Sequence, residues 1–256
     1  MKRIKQLFFA IAVFTLISSS ISWAKGVEIE ENYVPDPAIT AMIASNPQII
    51  DDKLKAAMLK EVENPASITI EITHISPEDT ALGKFKKIYV YAYRSTVEHV
   101  IVESAKIEFL DVQINTKKLL DNEKIRPVNK CTINMDVIVK ETDLNDFLKF
   151  KAKKIKVDHP KVKMMNNSME LSGSTKYGIV KVEFWAKGNF SIKDDKEIWF
   201  HASKMKVNRI SMPRSFIGTI IKKINPLMNF KKFSFDVNLE QIKITEGQLR
   251  ITSFPD

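Results

Sequence analysis

Cysteine is almost absent from this chain. The single thiol, Cys131, has no partner within it, so no internal disulfide can stand in for a hydrophobic core. Glycine is scarce too, with seven in 256 residues, and the scatter of those seven excludes a phosphate-cradling loop, which needs several glycines within a few residues. The four histidines, His74, His99, His159 and His201, stand far apart and in none of the spacings that tether a zinc ion. Leu171-Ser172-Gly173-Ser174 lacks the Gly-x-Ser-x-Gly frame of a nucleophile elbow. The paired carboxylates Glu30-Glu31, Asp51-Asp52 and Asp194-Asp195 fall at turns or helix starts, where capping and solvation account for them. No catalytic site, metal site or cofactor site is readable, and the chain reads as a protein that is not an enzyme.

The first residues carry a compartment signal. Lys2, Arg3 and Lys5 precede an uncharged run from Leu7 to Ile17, and Ser22-Trp23-Ala24 supplies small residues at the −3 and −1 positions of a cleavage site. The run is shorter than the roughly 20 apolar residues that span a bilayer. Residues 1–24 therefore read as a Sec signal peptide cleaved after Ala24, which makes the protein periplasmic or otherwise exported; the alternative is an inner-membrane anchor left uncleaved. No cysteine lies near the cleavage site to be acylated. Loss of the three basic residues lowers the formal charge from +9 to about +6. Outside the cytoplasm, anionic lipid headgroups or acidic glycans are better counter-charges for such a protein than nucleic acid.

Residues 25–64 read as an N-terminal helical extension punctuated by Pro35, Pro37 and Pro47. The stretch from Asp51 to Glu63 is its clearest amphipathic helix, with Leu54, Ala57, Met58 and Val62 at helical spacing. After Pro65 the period drops to two. Ile68, Ile70 and Ile72 alternate with polar neighbours, then Ile88, Val90 and Ala92 with three tyrosines. Between Val97 and Asn115 the apolar phase switches from odd to even positions, which predicts a bend near Phe109. Cys131, Ile133, Met135, Val137 and Val139 share one face of the next strand, so Cys131 reads as a buried small hydrophobe.

Thr142 reads as the cap of a helix of roughly ten residues with Leu144, Phe147 and Leu148 on its apolar side and a basic end. Val180 to Lys193 and Ile198 to Ala202 form a hairpin around Asp194-Asp195. Pro213 opens a second amphipathic helix with Phe216, Ile217, Ile220, Ile221 and Ile224 as its stripe. Phe233 to Leu239 reads as a strand, followed by a final pair around Gly247. Residues 65–256 thus make one α+β domain: a curved, mostly antiparallel sheet wrapped over amphipathic helices, as a layer or a half-wrapped barrel.

Apolar stripes beside lysine suit an anionic amphiphile, with tails inward and headgroup at the rim. The pattern is equally met by an ordinary core with a solvated lysine face.

The order of segments, with Thr142-Asp143-Leu144-Asn145-Asp146-Phe147-Leu148, the Met212-Pro213 step and the closing run from Val237 to Thr252, resembles the LmeA-like phospholipid-binding family over roughly Pro65 to Phe254. The resemblance implies a cell-envelope protein of the tubular lipid-binding type, with a phospholipid or other membrane lipid as partner and peripheral contact with the membrane surface. It brings no catalytic residues.

Leu144, Phe147, Leu148, Phe184, Phe216, Ile217, Ile220 and Ile221 are the expected walls of an apolar cavity for acyl chains, and Lys151, Lys154, Lys222 and Lys223 its headgroup rim. The rival expectation is a structural or adaptor protein of the envelope that docks a glycan or a protein partner through its basic face.

Overall fold

Prolines and short polar side chains start the first helices of the computed structural model, which describes residues 29–30, 32–97, 100–155, 157–177, 180–232 and 236–254; the expected signal segment lies outside them. The Asp36 carboxylate accepts from the amides of Ala38 and Ile39 and caps α1 (Pro37–Ser45), with Pro37 at a position where a missing N–H costs nothing. α2 (Gln48–Glu61) follows, and Ile43, Ile50, Leu54, Ala57 and Met58 from the two helices are buried in the main core.

The chain continues through β1 (Ser67–His74), α3 (Pro77–Ala81), β2 (Lys84–Val97), β3 (Val100–Gln113), α4 (Thr116–Asn122), β4 (Thr132–Lys140) and α5 (Glu141–Ile155). Then come β5 (Asp158–Met165), β6 (Ser168–Tyr177), β7 (Val180–Lys193), β8 (Glu197–Val207), β9 (Ile210–Ser211), α6 (Arg214–Ile224), β10 (Met228–Asn229), β11 (Gln241–Thr245) and β12 (Gln248–Thr252). About 50% strand and 27% helix make this an α+β protein. Its two antiparallel sheets run β1-β2-β3-β4-β12-β11 and β10-β8-β7-β6-β5, and they do not close into a barrel.

Several local expectations shift. Helix α5 begins at Glu141 and runs 15 residues, so Thr142 lies in its first turn and is not the cap. The bend in β3 falls at Asp111, whose φ of 52° turns the strand two residues beyond Phe109. Residues 233–235 of the expected strand lie outside the described residues, and Asp236 joins the first sheet through a single bridge to Thr132. The hairpin at Asp194-Asp195 is present, with both residues in the left-handed region at φ 51° and 53°.

The two sheets meet at one edge. β5 ends the second sheet, so its outer backbone groups have no strand partner. Side chains of α5 take that place. Asn145 accepts from the Val162 amide at 2.8 Å and donates to the Val162 carbonyl at 2.9 Å, while Glu141 accepts from the Met164 amide at 2.6 Å. The turn between β11 and β12 completes the joint. The Glu141 amide donates to the Gly247 carbonyl at 2.8 Å, the Gly247 amide reaches the Met164 carbonyl at 3.4 Å, and the Asn167 amide donates to the Ile244 carbonyl at 3.0 Å. Gly247 has φ 77°, a conformation that side chains disfavour.

Replacing Asn145 by Ala strips two partners from buried backbone at Val162 and is expected to cost about 1–3 kcal/mol, read as a lower urea midpoint. An unchanged midpoint would show that this edge is not held by the amide.

Candidate functional site

Strand pairing lays the apolar side chains of the first sheet in rows across its inner face. Ile72, Ile88, Phe109 and Ile133 form one row, and all but the edge residue Ile72 are buried. The next row is Ile70, Val90, Ile107 and Met135, where Ile70, Ile107 and Met135 are only partly buried. A third crosses all six strands as Ile68, Ala92, Ala105, Val137, Ile251 and Ile242, with Ala105 and Val137 again partly open.

This pattern inverts the usual one. Central strands should be the best covered, yet in β3 and β4 the ends are buried (Val102, Phe109, Ile133, Val139) while Ala105, Ile107, Met135 and Val137 between them keep accessible surface. Helices account for the covered ends: α3 packs against β1 and β2 at one end, and α5 packs against β3 and β4 at the other. Within this middle the partly buried Ala105 stands opposite the buried Ala92. An apolar strip of partly accessible side chains is left across the middle of the sheet. At about 4.8 Å between strands its six-strand row is about 24 Å long, more than the ~15 Å of one leaflet's hydrocarbon.

The residues expected to wall a cavity divide between two clusters. Leu144, Phe147 and Leu148 of α5 are buried in the main core at 0%, 3% and 1% exposure, and Phe184 of β7 packs against that core. Ile217 of α6 belongs to a smaller cluster with Ala186 and Met205 on the inner face of the second sheet. Ile221 packs against both and links them. The side chains of Phe216, Ile220, Lys154 and Lys223 lie outside the described residues. Lys222 is exposed on α6, and the Lys151 ammonium lies 5.2 Å from the Phe150 ring centroid. The strip residues Ile70, Ala105, Ile107, Met135 and Val137 were not singled out as a site by sequence. Their alternation was visible, but not which of them would remain uncovered.

An open cleft of about 600 Å³ lies at the far half of α5, lined by Lys149, Ala152 and Lys153, by Val157, Asp158, His159 and Pro160, and by Thr175 and Lys176. Three lysines against one aspartate give it a cationic lining, and Phe150 stands 64% exposed on the same helix. The near end of α5 is held by charge. Arg94 donates to both Asp143 oxygens at 3.2 Å and to Glu103 at 2.9 Å, and Lys140 donates to Glu103 at 2.6 Å. The Lys140 hydrogen bond, joined by that from Arg94, holds the Glu103 carboxyl below its ordinary range against the opposing effect of burial.

Burial pushes the Cys131 thiol up to about 11, so it is neither ionised nor reachable at neutral pH. Among the described residues no His, Cys, Asp and Glu side chains group as metal ligands, and no helix is long and apolar enough to cross a membrane. The model of the LmeA-like phospholipid-binding family matches residues 46–254, most of the chain. No curated protein and no solved structure matches.

Because the Glu103 carboxyl has a folded-state pKa below the ordinary 4.5, its contribution to stability is complete above that value and is lost as the pH falls through the depressed one. Glu103→Gln is expected to lower the urea midpoint at pH 7 and to narrow its gap from the parent protein as the pH approaches 3. A gap that stays constant with pH would mean that Glu103 is not held as an anion by Arg94 and Lys140.

Proposed function

The chain belongs to the LmeA-like phospholipid-binding family, and from that premise we propose that it is a non-catalytic carrier or holder of phospholipid in the bacterial cell envelope, with the apolar strip of the first sheet serving as a trough for acyl chain. The N-terminal segment acts as a Sec signal cleaved after Ala24, and the protein works in the periplasm or another exported compartment. Leu144, Phe147 and Leu148 of α5 and the linking Ile221 of α6 border the chain-binding region, with Phe184 and Ile217 at its second-sheet side. Lys151, Lys154, Lys222 and Lys223, joined by the lysines of the α5 cleft, favour anionic headgroups.

The observation that carries this reading is the uncovered middle of β3 and β4. Burying acyl chain there gains about 0.8 kcal/mol per methylene relative to water, so about ten methylenes give about 8 kcal/mol, within the range of association costs of about 4–15 kcal/mol. A lipid does not start from water, however. It leaves a bilayer in which its chains are already buried, so loading is close to an exchange between two apolar hosts. The trough then has to match the bilayer and no more, and its lack of strong polar contacts suits reversible uptake.

The test is native mass spectrometry of protein purified without detergent, with extraction and identification of what is bound. Phospholipid at about one per chain is expected. Ala105→Phe, which fills the trough, should lower occupancy at least tenfold, whereas Ser104→Phe on the outer face of the same strand should leave it unchanged. A lipid-free protein that also refuses lipid from liposomes, or normal loading of folded Ala105→Phe, would overturn the proposal.

A further inference from the structure

The outer face of the second sheet is built unlike its inner one. Direct strand partners share a face, so the pairing fixes one outward row as Lys163, Glu170, Lys187 and Lys204 and the next as Lys161, Ser172, Trp185 and Lys206. Lys176 and Lys181 pair at one end of the same face, and Lys193 lies toward the other. All these lysines are exposed except Lys187, which is partly buried.

Three acids on this face are already engaged. Glu170 lies 3.6 Å from Lys187, Glu183 lies 3.5 Å from Lys181, and the buried Glu197 accepts from the Trp199 indole at 2.8 Å and the Asn229 amide at 3.0 Å. Two tryptophans lie among the lysines, with Lys206 over the Trp185 ring at 5.3 Å and Lys193 over Trp199 at 4.6 Å.

We propose that this face, centred on Lys161, Lys187, Lys204, Lys206 and Trp185, docks the protein on an anionic phospholipid surface. The choice of a lipid partner rests on the function proposed above; the charge pattern stands by itself. Three features favour a membrane over a folded partner or a polyanionic chain. Strands β5 to β8 carry no arginine, the residue suited to planar, bidentate recognition of one defined phosphate or carboxylate. Lysine is a mobile point charge that suits a laterally fluid array of headgroups. Indole rings settle at the water-to-lipid boundary, with an apolar body and a polar N–H. A sheet face of this kind lies flat on a bilayer and leaves the trough, on the inner face of the other sheet, free to take or release lipid.

Each lysine at an anionic surface contributes roughly fivefold to partitioning, and the attraction fades with salt. The experiment is co-sedimentation of the mature protein, Lys25 onward, with vesicles of phosphatidylcholine alone or with phosphatidylglycerol added, together with its tryptophan emission, which then comes from Trp185 and Trp199. Binding only to the anionic vesicles, weakened by 0.5 M salt and accompanied by a blue shift of Trp185 and Trp199, is expected. Changing Lys161, Lys187, Lys204 and Lys206 to Glu should lower vesicle binding at least tenfold while leaving co-purified lipid unchanged.

The charge-matched control, Lys86, Lys124, Lys130 and Lys243 to Glu, all exposed and off this face, should change vesicle binding less than threefold. Equal losses in both variants would show net charge acting alone and would overturn the assignment of this face. So would undiminished binding of the folded four-lysine variant, or a wild-type protein that ignores anionic vesicles but binds an acidic polysaccharide. Loss of co-purified lipid in Ala105→Phe with vesicle binding intact would separate the docking face from the trough.

Discussion

An unpaired strand edge in the middle of a protein has to be satisfied, and the way β5 is satisfied organises the rest of this structure. Asn145 and Glu141 present side-chain groups to Val162 and Met164 as a neighbouring strand would present its backbone. This fixes α5 at the seam between the two sheets, where Arg94 and Asp143 tie its first turn to β2. With the helix held there, its apolar side covers one end of the first sheet, the helices near the N-terminus cover the other end, and the strip between them stays open. The strip proposed above to seat acyl chain is what lies between two caps fixed at a distance that the sheet sets.

Much of this was legible before the coordinates. Alternation identified β1, β2, β4 and the β7–β8 hairpin, and helical spacing identified α2, α5 and α6, because one dry face and one wet face impose a period on the sequence. The β5 strand was hidden for a physical reason: Lys161 and Lys163 continue the lysine-rich tail of α5, so Val162 and Met164 between them did not stand out as a strand face. α4 has only Leu119 and Leu120 over seven residues, too little to show a helical period. The site was less legible than the fold, because a core position and a cavity wall have the same periodicity. Leu144, Phe147 and Leu148 form the most regular stripe and are buried, whereas Ala105 of β3 and Met135 of β4 keep part of their surface accessible. Only the pairing register, which sets Ala92 against Ala105 and Ile107 against Met135, brings these partly covered positions into adjacent rows.

In the function proposed above, the two sheets divide the work between their faces. The first turns inward an apolar surface it does not fully cover, and the second turns outward a lysine face set with tryptophan. A lipid-handling protein has to meet a charged interface and offer an apolar refuge without letting the same surface do both, since an exposed apolar patch of that size would itself promote aggregation. In that reading, the refuge on an inner face and the charge on an outer one meet both demands within a chain of this length without disulfides.

The most direct measurement is methyl NMR of the Ile, Val, Met and Ala side chains as phospholipid is loaded from vesicles. The account predicts shifts at Ile70, Ala105, Ile107, Met135 and Val137, with Ile114 and Ile198 in the packed core unmoved. Bound lipid that shifts only Ile217 and Ile221 of α6, or that leaves the strip between β1 and β4 unchanged, would place the chain elsewhere and contradict it.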